Sequence, residues 1–243
     1  MTKRIKISLW VVGLAILVFL IQYPITKSGD AWDSEFSLPL SGKNIVLDPG
    51  HGGPDGGAVG ADGTLEKGIT LNVSKKLQNY LEQAGANVFL TREVDKDLAA
   101  ESTKGLSRRK NEDIRNRLQF IKDNEADFFL SIHLNALPST KWRGAQSFYY
   151  PQFDESKHLA KVIQAEIIRN LENTKREALA INGMYLLKHA EVPGALVEIG
   201  FLSNEEEREL LKDDNYQDKL AASIYEGVLR YSTEDEEKSE EAE

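Results

Sequence analysis

Four ionisable side chains occupy positions where packing alone would not place them. His51 lies within DPGHGGPDGGAVG, a segment of six glycines whose backbone can turn sharply and leave an open shelf for a ligand. His133 follows the apolar run FFLSI, and Glu66 opens a predicted helix. Glu198 lies inside the apolar segment ALVEIGF, where burying an unpaired carboxylate would cost several kcal/mol. Glu198 therefore gives the strongest single indication of a functional site.

Two imidazoles and one carboxylate are sufficient for a catalytic zinc site, which uses three protein ligands and leaves a fourth position open for water. The chain contains no cysteine, so a metal must be bound by His, Asp or Glu. A carboxylate that is not a ligand could take a proton from the attacking water and return it to a leaving amine. The residue types alone leave open whether Glu66 or Glu198 is the ligand.

Each of these positions also fits a role without catalysis. The glycine-rich segment could cradle a phosphate, but no Gly-Lys-Ser or Gly-Lys-Thr ends it. His51 could be incidental in a surface loop, and a lone His133 in apolar surroundings is more often a core residue than a ligand. Glu66 suits the first turn of a helix through the helix dipole. The two histidines together favour metal binding more than either does alone, because the carboxyl ends of parallel strands lie at one edge of a sheet.

The elements that would position these residues alternate along the chain. Short apolar runs bounded by turn residues predict strands at 44–47, 87–91, 127–132, 145–150, 184–187 and 195–199. Apolar residues at helical spacing predict helices over 73–84, 114–121, 159–167 and 220–228. Ser107 is the expected cap of the second helix, and Ser203 with Glu206 forms a capping box for a further short one. We therefore expect an α/β fold, with a mixed, mostly parallel sheet flanked by helices.

The N-terminus predicts export. Three cations at positions 3, 4 and 6 precede an uncharged apolar run at 7–21, which follows the positive-inside pattern. The run is marginal in length for a bilayer span, but no good cleavage site follows, which favours an uncleaved anchor. The expected organisation is an anchor or signal at 1–27, a linker at 28–42, a catalytic domain at 43–231 and a disordered acidic tail at 232–243. The domain is then expected outside the cytoplasmic membrane, anchored to it or in the cell wall.

The net charge of −9 is concentrated at the C-terminus. Residues 233–243 contain seven acids and one Lys, a net of −6, which leaves −3 for the rest of the chain. A tail this polar is expected to be disordered. With a net charge of −3, the remainder is not basic enough for nucleic acid, whose phosphates are recognised by Lys and Arg clustered on one face, so nucleic acid is not expected as a partner.

The motifs, taken together, resemble a known family. DPGHGG, Glu66, Arg92, SIHLNA and ALVEIGFLSN occur in the order found in the zinc-dependent N-acetylmuramoyl-L-alanine amidases, and the resemblance covers about residues 43–231. It implies a phosphorylase/hydrolase-like amidase fold, and hydrolysis of the amide between the muramic acid lactyl group and L-alanine in peptidoglycan. It also implies that zinc is bound by His51, Glu66 and His133, and that Glu198 is the catalytic base. Leu134 stands where the family more commonly has Ala.

Two further stretches narrow the resemblance. KGLSRRK at 104–110 and GAQSFYYP at 144–151, with the short single domain, are similar to family members that act on the spore cortex. This implies a role in muramic lactam formation and germination. Only the nine residues 136–144 separate SIHLN from the next predicted strand, which is too short for the inhibitory helix of some family members. A regulatory protein partner is left open.

Two alternative functions remain at this stage. An exported zinc carboxypeptidase would use the same ligand types, but the His-x-x-Glu spacing of such enzymes is missing. An inactive envelope-binding module would not need all four ionisable residues. Measurements of zinc content and of cleavage products would distinguish the amidase from these two alternatives.

Overall fold

The computed structural model describes residues 38–240 and, nearer the N-terminus, residues 5, 10, 12–14, 18 and 19, which have helical backbone. For residues 235–240 it describes the backbone alone. Most of the predicted anchor at 1–27 and most of the predicted linker at 28–42 lie outside the described residues. Within the described part, no helix has both the length and the apolar character needed to cross a bilayer.

A six-stranded sheet forms the centre of the fold, in the order β2-β1-β3-β6-β4-β5. The strands are β1 (Asn44–Pro49), β2 (Asn87–Leu90), β3 (Phe128–Asn135), β4 (Gln146–Tyr149), β5 (Leu179–Ala180) and β6 (Gly194–Phe201). The first three strands and β6 are mutually parallel, whereas β4 is antiparallel to β6 and parallel to β5. The predicted α/β class with a mixed, mostly parallel sheet is confirmed.

Helices cover both faces of the sheet. They are α1 (Glu66–Gln83), α2 (Leu106–Asp123), α3 (Asp154–Leu171), α4 (Tyr185–His189), α5 (Glu205–Lys212) and α6 (Asp214–Glu240). On one face, α1, α3 and α6 pack their apolar residues against the sheet in the larger core cluster. On the other face, α2 and α4 pack against the sheet in a second, smaller cluster. Because β1, β3 and β6 are covered on both faces, their sequences are nearly continuous apolar runs.

The alternation of side chains along each strand decides where the polar residues point. Phe129 in β3 and Leu196 in β6 belong to the smaller cluster on the α2 and α4 face. His133 lies four residues after Phe129, and Glu198 lies two residues after Leu196, so both project from that same face. The sheet therefore carries His133 and Glu198 side by side toward its carboxyl edge.

The predicted strand at 184–187 is wrong, because these residues enter the short helix α4. Two leucines of this helix, Leu186 and Leu187, are buried against the sheet. A run of only four mostly apolar residues cannot distinguish a strand from one turn of a buried helix by periodicity. The sheet position beside β4 is taken by β5 instead.

Two predicted helix caps are also wrong. The short helix α5 is capped by Asn204, whose Oδ1 accepts a hydrogen bond of 2.9 Å from the Glu207 N–H. Ser203 instead accepts a hydrogen bond from the Leu137 N–H. Helix α2 follows Gly105 without a side-chain cap, so Ser107 lies inside the helix.

The helical backbone of α6 extends into the acidic segment as far as Glu240, and the disorder of residues 232–243 stays a prediction. Glu and Lys have high helix propensity, and extending an existing helix costs far less than nucleating a new one. The packed part of α6, which buries Leu220, Ile224 and Val228, provides that nucleus. Residues 241–243 lie outside the described residues.

Candidate metal centre

The loop that carries His51 begins where β1 ends at Pro49. Its backbone turns through three consecutive residues with positive φ, at His51, Gly52 and Gly53. Glycine adopts such angles readily, but His51 at +62° carries a Cβ and adopts one only when its surroundings enforce it. This turn directs the imidazole back toward the carboxyl edge of the sheet.

His51, Glu66 and His133 come together as one group. The Nε2 atom of His51 lies 3.2 Å from Oε2 of Glu66, and Nδ1 of His133 lies 2.9 Å from Oε1. The two imidazole rings meet edge to face, with centroids 5.0 Å apart. One ligand atom from each residue lies within 4.8 Å of the others, and no second group of this kind occurs among residues 38–234, whose side chains are described. A single ion can therefore contact all three side chains.

Glu66 is held between the imidazoles by backbone groups. As the first residue of α1 it is almost fully buried, with 2% of its surface exposed. Oε2 accepts a hydrogen bond of 2.6 Å from the Ala58 N–H, and Oε1 accepts one of 2.8 Å from the Leu134 N–H. The carboxylate is fixed before any ion binds. The backbone amide at Leu134 supplies this contact, so the unusual residue type there leaves it intact.

Two glycines leave the space that this group needs. A Cβ at Gly50 would lie 2.4 Å from Cε1 of His133, and one at Gly57 would lie 2.5 Å from Oε2 of Glu66. These approaches are shorter than any real Cβ contact, so a side chain at either position would displace a member of the group. Gly50 and Gly57 therefore make room for the three side chains.

The charges of the group suit a divalent cation. Burial would raise the pKa of Glu66, but hydrogen bonds from His133 and His51 outweigh it and lower that pKa well below its usual range. Burial would lower the pKa of His51, but hydrogen bonding to Glu66 and Asp55 outweighs it and raises that pKa. Two imidazole nitrogens and one ionised carboxylate form a donor set of the kind found in zinc enzymes. These residues fit a zinc ion.

Glu198 lies beside this group but outside it. The residue pairs directly with His133 in the register between β3 and β6, and its Oε2 is enclosed with no hydrogen-bond partner among the described residues. Burial raises the pKa of Glu198 to about 7, with His133 acting in the opposite direction and Glu66 adding to the rise. A carboxyl with these properties can exchange a proton near neutral pH.

An open pocket of about 290 Å³ leads to the two imidazoles. One wall comes from α2, through Lys110 and Ile114, and another comes from residues 183–186 at the start of α4. The segment that the sequence assigned to a strand therefore shapes the approach to the candidate metal centre. Its position could not be read from the sequence, because it depends on α4 packing against α2.

Asp55 is a part of the site that the sequence analysis missed. Its Oδ2 lies 2.9 Å from Nδ1 of His51 and 3.0 Å from Nζ of Lys110. A carboxylate on the outer nitrogen of a ligating His fixes the ring and its tautomer. A signal was present in the sequence, since Asp55 lies four residues after His51 in the same glycine-rich segment. The two remaining histidines lie elsewhere, with His158 3.0 Å from Glu234 and His189 against the Tyr185 ring.

The chain is similar to known proteins of one family. A family described as N-acetylmuramoyl-L-alanine amidase matches residues 45–230 of the chain. The germination-specific N-acetylmuramoyl-L-alanine amidase of Bacillus subtilis is 55% identical over 234 residues, which cover 96% of this chain and 98% of that protein. The amidase LytC of the same organism is 32% identical over 82% of this chain, but over only 37% of its own length.

Solved structures give the same result. The CwlD amidase from Clostridioides difficile, determined in complex with the GerS lipoprotein, matches with a TM-score of 0.76 and 44% identity over 78% of this chain and 98% of that one. The catalytic domain of CwlV, an amidase from Bacillus (Paenibacillus) polymyxa, matches with a TM-score of 0.68 and 28% identity over 78% and 97% of the two chains.

Proposed function

The chain belongs to the N-acetylmuramoyl-L-alanine amidase family, and on that premise we propose that it hydrolyses the amide between the lactyl group of N-acetylmuramic acid and L-alanine in peptidoglycan. The observation that carries the proposal is the group of His51, Glu66 and His133 with the enclosed carboxyl of Glu198 beside it. This arrangement would place a metal ion and a proton acceptor next to each other, since Glu198 pairs with His133 in the register between β3 and β6. In a metal-assisted route to amide hydrolysis, the metal activates the carbonyl and the water, and the carboxyl transfers the proton.

The proposed metal is zinc, bound by His51, Glu66 and His133. The donor set and the space left by Gly50 and Gly57 support this choice. Zinc in such a site supplies Lewis acidity, which polarises the scissile carbonyl and makes water a better nucleophile. Asp55 would keep the His51 ring oriented toward Glu66 throughout the reaction.

Glu198 is the proposed general base and acid. Its carboxylate would accept a proton from the attacking water as the water oxygen bonds to the carbonyl carbon. It would then donate that proton to the alanine nitrogen as the carbon–nitrogen bond breaks. The products are a free lactyl carboxylate on the glycan and a stem peptide with a free amino terminus. The alternative in which Glu198 ligates the metal is disfavoured, because Glu66 lies between both imidazoles and Glu198 does not.

The proposed biological setting is the spore. It is supported by the relative from Bacillus subtilis, which is described as germination-specific and is aligned over nearly its whole length. The peptidoglycan substrate lies outside the cytoplasmic membrane, so we also propose that the apolar run at 7–21 exports the domain and anchors it there. The Clostridioides relative was solved with a lipoprotein, which makes a lipoprotein the first candidate for a regulatory partner.

Two measurements on the purified chain test the proposal. Zinc content is measured after purification without added metal, and the products from vegetative and spore peptidoglycan are analysed by mass spectrometry. Zinc together with stem peptides that begin with free L-alanine is the expected result. Release of a C-terminal amino acid would indicate a carboxypeptidase instead, and no cleavage of either substrate by the zinc-loaded chain would favour a binding module.

A further inference from the structure

Two buried guanidinium groups hold three consecutive backbone carbonyls of the His51 loop. The Pro49 carbonyl accepts hydrogen bonds of 3.0 Å from Arg92 Nε and 2.8 Å from Arg117 Nη1. The Gly50 carbonyl accepts one of 2.9 Å from Arg92 Nη2, and the His51 carbonyl accepts one of 2.6 Å from Arg117 Nη2. Arg92 is 1% exposed and Arg117 is 2% exposed, so water does not compete for these contacts.

The backbone at His51 needs such a restraint. Two other residues with a Cβ have positive φ in the described part of the chain, Glu125 and Glu172, and both lie at the C-terminal ends of helices, where this angle is common. His51 follows a strand, and although histidine adopts the left-handed region more often than most residues with a Cβ, this region remains less favourable than extended or right-handed backbone. Released from its contacts, the residue would return to an extended or right-handed conformation. That change would rotate the imidazole away from Glu66.

Arg117 is itself fixed. Its Nη1 lies 2.6 Å from Oδ1 of Asp48, and its Nε lies 2.9 Å from Oδ2 of Asp113. Asp48 also accepts hydrogen bonds from Thr91 and Ser131, so the contacts join α2 to three neighbouring strands. The planar guanidinium can donate to an acid on one side and to two carbonyls on the other, which the single ammonium of a lysine cannot do.

We propose that Arg117, assisted by Arg92, is a positioning residue of the metal centre, which holds His51 in its left-handed conformation so that Nε2 faces Glu66 before the metal arrives. The inference rests on the proposed metal function. An arginine that only joins a helix to a sheet would affect folding alone. Loss of Arg117 should also weaken metal binding, beyond any effect on folding.

The test compares Arg117→Lys with Arg208→Lys in the full chain. Arg208 is a matched control, because it is 6% exposed, donates to the Leu202 carbonyl and pairs with Asp62, without contacting His51. Zinc affinity is measured by competition with a chelator, and stability by thermal unfolding of the metal-free chains. We expect Arg117→Lys to weaken zinc binding by at least about 10-fold, as for other groups that support a ligand, and Arg208→Lys to leave it unchanged.

Several results would overturn the inference. Wild-type zinc affinity in Arg117→Lys would do so, and so would an equal loss of affinity in both variants, which would indicate general loosening. If Arg117→Lys does not fold, Asp113→Asn decides on the same terms, because it loosens the guanidinium while keeping the shape of its partner. Failure of the wild-type chain to bind zinc would instead contradict the proposed function.

Discussion

His133 and Glu198 are direct partners in the register between the parallel strands β3 and β6. These two strands lie at the centre of the sheet, and both side chains project from the same face. The proposed ligand and the proposed base are therefore held by rigid elements rather than by loops, which suits a reaction that needs fixed geometry. The other two members of the site reach this edge from the glycine-rich loop and from the first residue of α1.

Removing either imidazole should remove the metal. His51→Ala and His133→Ala each take away one of three proposed protein ligands, so zinc affinity is expected to fall by more than the roughly 100-fold typical of losing a supporting group. His189→Ala is the control, because His189 is exposed and lies against Tyr185 instead. Chelator competition measures all three variants. Zinc retention by either ligand variant at wild-type affinity would contradict the assignment.

Gly57→Ala should disrupt the metal centre through its new methyl group. The residue has φ of +73°, and a Cβ there would lie 2.5 Å from Oε2 of Glu66 and 2.7 Å from Cδ2 of His51. Gly63→Ala is a matched control, because Gly63 has φ of +86° but an added Cβ would meet nothing within 4 Å. Both variants should lose some stability from backbone strain, roughly 1 kcal/mol or more. Only Gly57→Ala should also lose zinc, and equal zinc binding by the two variants would refute this account of the loop.

The buried pair of Asp48 and Arg117 should make stability depend on pH at the acid end. Burial would raise the pKa of Asp48, but the charge of Arg117 and a hydrogen bond from Ser131 outweigh it and lower that pKa from 3.8 to about 2. A lowered folded-state pKa means that the contribution is complete above about pH 4 and is lost as pH falls through about 2. The size of the shift corresponds to about 2 kcal/mol.

Asp48→Asn isolates this contribution. The variant should be less stable at neutral pH, because Arg117 loses a charged partner, and its free energy of unfolding should fall less steeply between pH 4 and pH 2 than that of the wild type. Denaturant unfolding across this range measures both curves. Parallel curves for the two proteins would show that Asp48 does not titrate in this way.

Much of the fold and of the site could be predicted because the signals are local. Strands buried on both faces read as apolar runs, and two histidines at the ends of such runs had to meet if the strands were parallel. The role of residues 183–186 depends on a tertiary contact between α4 and α2, which leaves no periodic pattern in so short a segment. The residue types alone also left open which carboxylate lies between the imidazoles, because this depends on how α1 docks against the loop after β1. Only the family resemblance assigned that position to Glu66.

The division of roles between the two glutamates is the central claim, and one pair of variants tests it directly. Glu198→Gln keeps the shape of the side chain but removes the base, so it should retain about one zinc per chain while turnover on peptidoglycan falls by roughly 100-fold or more. Glu66→Gln should lose zinc, because the carboxylate between the imidazoles is replaced by a weaker amide ligand. Zinc content and turnover are measured on both. Near-normal turnover by Glu198→Gln, or loss of zinc from Glu198→Gln with retention in Glu66→Gln, would contradict the account.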